Sequence, residues 1–229
     1  MRPDLLARSG WFVPAAAPIA PPVARLCRIP LRLDSAHGVA ITFDDGPHPE
    51  GTPAVLEVLA RAGTRATFFL VGEQVARYPS VAAEIAAAGH EIAIHGYRHV
   101  LLLRRAPTAL RADFVRAHDV IASATGTEPT LYRPPYGVFS GPALLIVREL
   151  GWRTLLWSRW GRDWGRRATP EKIAERASRS LSGGDVVLLH DADHYSSVGS
   201  WRRTVAALPS IIDAVSASGE PLVSASHST

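Results

Sequence analysis

The stretch Gly38-Val39-Ala40-Ile41-Thr42-Phe43-Asp44-Asp45-Gly46-Pro47, followed by Thr52-Pro53 and closed at Gly63, decides how the chain is read. Residues 39–43 are a short apolar run rich in β-forming side chains, and it stops at two carboxylates and a turn sequence. Thr52 and Pro53 then read as the N-cap and first-turn proline of a helix. Its apolar face is Val55, Leu56, Val58 and Leu59, and Gly63 stands where a C-terminal glycine belongs. This is one strand followed by one helix.

Outward from this unit the pattern repeats. Strands are expected at 66–71, 91–95, 130–133, 153–158, 185–189 and 221–225, and helices at 80–88, 108–124, 142–150, 170–181 and 204–218. The strand runs are continuously apolar rather than alternating, as strands covered on both faces are. Seven strands alternating with helices argue for a parallel α/β fold, either barrel-like or an open doubly wound sheet. Residues 1–35 read as a Pro-rich leader and 36–229 as one domain.

Bulk composition narrows the class. With 229 residues and 47% hydrophobic side chains the chain can bury a full core. A single cysteine, Cys27, excludes a disulfide framework and a cysteine-built zinc site. The pI is near 9.7, yet only Lys172 among the 25 basic residues is a lysine. The arginines are scattered, with no basic stripe interleaved with aromatics, so no nucleic-acid partner is expected. No apolar run approaches the roughly 20 residues of a membrane span. Residues 11–23 are apolar but carry four prolines, a poor signal peptide, which leaves cytoplasm and cell envelope both open.

The chemistry-bearing residues fall at the C-terminal ends of the expected strands: Asp44 and Asp45, His95, Arg133, Asp163 and His190. In parallel α/β folds those ends share one face, where ligands bind. Adjacent carboxylates buried together need a cation or a shared proton, although Asp-Gly-Pro also makes a plain turn. His95 and His99 are spaced to put two imidazoles on one metal, the competing reading being two loop histidines. With Asp45 they form a His₂Asp set that leaves a position open for water.

These segments resemble the polysaccharide deacetylase family, carbohydrate esterase family 4, also called the NodB homology domain. The resemblance runs from about residue 39 to the C-terminus. Five motifs appear in order: Thr42-Phe43-Asp44-Asp45-Gly46, His95 to His99, Arg133-Pro134-Pro135-Tyr136-Gly137, Asp163-Trp164 and Leu188-Leu189-His190. The resemblance implies a single-domain distorted (β/α)₇ barrel acting on an N-acetylated glycan, peptidoglycan or chitin-like, and a monomer is expected. It implies that Asp45, His95 and His99 hold a divalent metal, zinc first, with cobalt or nickel as alternatives. Asp44 would be the general base, oriented by Arg133. His190 would be the general acid, paired with Asp163, and the Tyr136 N–H would help bind the oxyanion. Trp164 and Leu188 would take the acetyl methyl, with Pro134 and Trp160 beside the substrate. The alternatives are the same chemistry on another acylated substrate, or a silent carbohydrate-binding module.

Two positions depart from the family pattern. Gly96 stands where serine or threonine is usual, and Trp160 where a second aspartate is usual. Of the remaining polar residues, His48 reads as loop decoration, Asp191, Asp193 and His194 as a solvated loop, and His118 as a core or boundary histidine. Trp152 and Trp157 read as core, and Trp160 and Trp164 as loop residues of the active face.

Overall fold

The computed structural model describes residues 10–226. Within them, strands β1 (Ala40–Asp44), β2 (Thr67–Leu70), β3 (Glu91–Ile94), β4 (Leu131–Tyr132), β5 (Arg153–Thr154), β6 (Arg159–Trp160) and β7 (Val186–His190) form one sheet. Its order is β5-β4-β3-β2-β1-β7-β6 and every pairing is parallel. β5 and β6 follow each other in the chain yet lie at opposite edges of the sheet. Laid flat, a seven-stranded sheet would separate those edges by about 29 Å. The chain from Thr154 to Arg159 reaches at most about 18 Å. The sheet therefore curls into a distorted (β/α)₇ barrel with a seam between β5 and β6.

Helices α1 (Pro21–Leu26), α2 (Gly51–Arg61), α3 (Gly72–Arg77), α4 (Pro79–Ala87), α5 (Pro107–Thr125), α6 (Gly141–Glu149), α7 (Pro170–Ser178) and α8 (Ser200–Ala217) accompany the strands. Local chemistry fixes their ends. Ser140 accepts from the Ala143 N–H to start α6, Thr169 from the Lys172 N–H to start α7, and Gly126 at φ +69° stops α5. β1 and β2 are buried along their whole length, which is why their sequences do not alternate. Ala17, Ala24, Ile29 and Leu33 join the same core, so the chain ahead of β1 packs on the barrel. No helix among the described residues is long and apolar enough to cross a membrane.

The structure corrects four expectations. Residues 153–158 are not one strand: β5 ends at Thr154, and 155–158 cross the seam to β6. Residues 221–225 make only an isolated bridge, Val39 to Leu222, so the seventh strand is β6 instead. The segment before residue 88 holds two helices, because Tyr78 precedes Pro79 and is pushed out of the α region to φ −131°, ψ 58°. Thr52 does not cap α2. The His48 ring does, its Nδ1 accepting from the Gly51 N–H at 2.9 Å.

The seam is closed by a side chain. Arg133, fully buried, donates from Nε to the Leu155 carbonyl (3.0 Å) and from Nη2 to the Leu156 carbonyl (2.7 Å). These bonds satisfy carbonyls that a neighbouring strand would otherwise take.

Candidate active site

Strand register gathers the motif residues. Asp44 pairs with His190 across β1 and β7, and Ile94 with Tyr132 across β3 and β4, which sets His95 beside Arg133. Ligand atoms of Asp45, His95 and His99 lie within 4.8 Å of one another. Asp45 Oδ1 is 3.5 Å from His95 Nε2 and 3.1 Å from His99 Nε2, yet it is buried with no aligned hydrogen bond. The three groups face a common point rather than each other, as a metal-binding set does. His95 Nδ1 lies 2.9 Å from the Arg133 carbonyl, so it carries the proton and leaves Nε2 free as a ligand. Burial alone would raise the Asp45 carboxyl. His95, His99 and His190 outweigh that and hold it far below the usual carboxylate range.

The base and acid candidates flank this set. Asp44 Oδ1 accepts from Arg133 Nη1 at 2.7 Å, while Oδ2 stands 3.7 Å from His95 Nε2, on the ligand side. His190 Nδ1 is 2.9 Å from Asp163 Oδ1, and Nε2 points toward Asp45 Oδ2 at 4.0 Å. Asp163 is itself held by the Thr204 hydroxyl and the His190 N–H. Burial opposes charge on His190, but Asp163, then Asp45 and Asp44, outweigh it and raise its pKa to about 10. A divalent cation held beside Asp45 would work the other way and lower that value.

A cavity of about 290 Å³ opens over these groups, lined by Asp44, Asp45, His95, His99 and His190 and walled by aromatics. Trp157, Trp160 and Trp164 form a chain of rings at 5.9 and 5.6 Å, ending edge-on against His190 at 5.4 Å. Leu188 lines the floor, and Trp157 belongs to both core and cavity. Trp160 sits in β6 rather than in a loop. Tyr136 adopts the left-handed conformation at φ +61°, ψ 5°, an outlier for a bulky residue, which exposes its ring at the cavity rim. Pro134 is buried and is not among the lining residues.

The structure adds groups that sequence reasoning missed. The His99 ring is sandwiched by Tyr195 (stacked, 4.1 Å) and Tyr136 (edge-on, 4.5 Å). Tyr195 is fixed in turn, donating to Glu73 at 2.7 Å and accepting from Gln74 at 2.8 Å. Gly96 has φ +82°, and the Asp113 carboxylate accepts the Tyr97 N–H at 2.9 Å. A carboxylate from α5 thus steadies the histidine loop that lacks its usual hydroxyl. Nothing in the local sequence pattern pairs residues this far apart.

In the loop after β7, Asp193 and His194 are half-buried, but Asp191 is not solvated. Asp191 is fully buried, bonded to the Thr52 hydroxyl and packed on Gly46. Burial, against the Thr52 bond, raises its pKa to about 7. A carboxyl raised above its unfolded value of about 3.9 contributes stability that is complete below pH 4 and lost as pH rises through 7. In chelator, wild-type melting temperature is therefore expected to fall from pH 5 to 8, and Asp191→Asn to flatten that fall. An unchanged slope would contradict this assignment.

His48, Asp193 and His194 also lie within ligand distance of one another. Each of the three is engaged in hydrogen bonds within the protein, however. His48 Nδ1 accepts backbone N–H groups, so its Nε2–H faces Asp193 Oδ1 at 3.3 Å, and His194 Nε2 meets the Pro47 carbonyl at 3.2 Å. This cluster is a structural clasp. His118, also off the site, is a boundary residue stacked on Trp152.

The sequence matches the model of the family described as "Polysaccharide deacetylase" over residues 34–155. A peptidoglycan-N-acetylglucosamine deacetylase of Bacillus cereus is 35% identical over 192 residues, covering 82% of this chain and 86% of its own length. A chitooligosaccharide deacetylase of Azorhizobium caulinodans is 32% identical, covering 79% and 89%. Among solved structures, a family 4 carbohydrate esterase from Streptomyces lividans in complex with acetate superposes with a TM-score of 0.73 at 31% identity, covering 81% of this chain and 91% of that one. On this sequence match and this barrel, the chain belongs to the polysaccharide deacetylase family, carbohydrate esterase family 4.

Proposed function

We propose that this deacetylase is metal-dependent and removes N-acetyl groups from N-acetylglucosamine-type residues of a glycan, peptidoglycan or chitin-like. The observation that carries the reading is the convergence of three separately held groups on one cavity. These are the Asp45–His95–His99 set, Asp44 fixed by Arg133, and His190 fixed by Asp163.

The donor set of two imidazoles and a carboxylate fits zinc and its first-row neighbours, and the unpartnered buried Asp45 Oδ1 fits a cation. When bound there, such an ion would supply a water acidified to a pKa of about 7 and Lewis acidity toward the acyl oxygen. The remaining work falls to side chains. Asp44 Oδ2 takes the proton of the attacking water, and Arg133 holds Asp44 in place for it. The Tyr136 N–H, turned by its left-handed backbone, helps hold the charge that develops on the acyl oxygen. His190 Nε2 protonates the leaving amine, which is too poor a leaving group as an anion. Trp164 and Leu188 enclose the methyl and exclude water.

Acetate release from chitooligosaccharides, peptidoglycan fragments, acetylated xylan and free N-acetylglucosamine, assayed with added zinc, tests this. Release from the amino-sugar polymers is expected. Release from acetylated xylan alone would replace the amide substrate by an ester.

A further inference from the structure

Of the nine exposed large apolar side chains among the described residues, four, Phe12, Val13, Ile19 and Leu26, lie on the short arm ahead of β1, and Leu145 lies on α6, against which that arm packs; Leu101, Val115, Tyr136 and Val198 are scattered elsewhere. Ile19 is 79% and Leu26 76% exposed, so they protrude rather than line a groove. From Gly10 to Leu33 the chain carries three arginines, Arg25, Arg28 and Arg32, and no acidic residue. Arg148, one turn from Leu145 on α6, reaches the Cys27 carbonyl next to Leu26, which joins the apolar points to a cationic hollow. That hollow, about 240 Å³, is lined by Arg28, Arg32, Arg148, Arg153 and Trp152, with Asp34 its acidic lining residue, and Arg32 is itself paired with the buried Asp185.

We propose that this face is a peripheral docking surface for an anionic lipid bilayer. Protruding apolar side chains insert between headgroups, and clustered arginines hold lipid phosphates at the same depth. A complementary protein would present apolar side chains with a shaped hollow, whereas the hollow beside Leu26 is cationic. The arm also abuts the cavity rim: a Cβ added at Gly137 would lie 3.3 Å from the Pro18 ring. Docking through the arm thus keeps the catalytic mouth beside the bilayer, where a membrane-proximal glycan would be reached.

Co-sedimentation of the full chain with phosphatidylglycerol–phosphatidylcholine vesicles, against phosphatidylcholine alone, tests the proposal. Binding is expected to the anionic vesicles only and to weaken with salt. The Ile19→Asp/Leu26→Asp double variant should bind at least about tenfold more weakly, from the lost apolar burial. Arg28→Glu should also weaken binding about tenfold, from the charge reversal. Melting temperature and acetate release from a soluble oligosaccharide should be unchanged in both. Equal binding to the two vesicle types, no binding, or variants that bind like wild type would overturn the proposal. So would self-association that the double variant abolishes, which would assign the face to a second copy of the chain.

Discussion

Asp44→Asn is expected to lower kcat about a thousandfold while leaving bound metal stoichiometric, from the loss of a positioned base. The substitution is nearly isosteric. The amide oxygen can still accept from Arg133 Nη1, which Asp44 Oδ1 meets at 2.7 Å, but it cannot take a proton from water. It also leaves a fully buried guanidinium without its counter-charge, so stability should fall by about 3 kcal/mol. The two effects separate experimentally: metal content and a folded melting transition report the scaffold, and acetate release reports the base. Turnover within tenfold of wild type, with metal bound, would remove Asp44 from the chemistry.

Arg133→Met is expected to have the largest effect on the fold. One side chain bonds to Thr42, Asp44, Leu155 and Leu156, and its guanidinium lies 3.8 Å over the Phe69 ring. Methionine fills similar volume but leaves two buried carbonyls and a carboxylate without donors. The expected loss is about 4 kcal/mol, a drop of roughly 10 °C in melting temperature for a chain of this size. Arg133→Lys should recover little, because a point charge on a flexible stem cannot span acceptors on both sides of the seam. A melting temperature within a few degrees of wild type in both variants would show that the seam is held by something else.

This double duty explains a feature of the architecture. Where the ladder is interrupted between β5 and β6, the backbone needs donors, and the buried Asp44 carboxylate needs a counter-charge. A fully buried arginine meets both needs at once. Its burial opposes its charge and lowers its pKa, while Asp44 raises it. The ion pair is therefore stable only as a pair.

Much of this was legible in the amino-acid sequence because the signals are local. Residues 39–43, 66–71 and 91–95 are buried on both faces, so apolar runs mark them, and each ends within one residue of its observed strand. Asp44, Asp45, His95, His99, Arg133, Asp163 and His190 lie at or a few residues past the C-terminal ends of β1, β3, β4, β6 and β7, and the parallel sheet brings them together. What was not legible depends on partners distant in sequence. Residues 153–158 looked like one strand because they are apolar, but the crossing of the seam is imposed by barrel closure. Thr52 looked like a cap, but its hydroxyl serves Asp191, 139 residues away. Tyr195, Asp113 and the burial of Asp191 carry no local pattern, since each acts through a group on another element.

Trp160 illustrates a third case, a residue visible in sequence as a departure but uninterpretable until placed. It pairs with Leu188 across β6 and β7, has Arg162 over its ring at 4.5 Å, and stands between Trp157 and Trp164. An aspartate there would put a charge into an aromatic wall. The tryptophan instead continues the aromatic wall on that side of the cavity.

The most direct test of the central claim is acetate release from a chitooligosaccharide by the chain stripped of metal with chelator and then reloaded with zinc. The account predicts no release by the stripped chain, with metal loss verified by elemental analysis, and restored release at one zinc per chain. Undiminished release by the verified metal-free chain would contradict it.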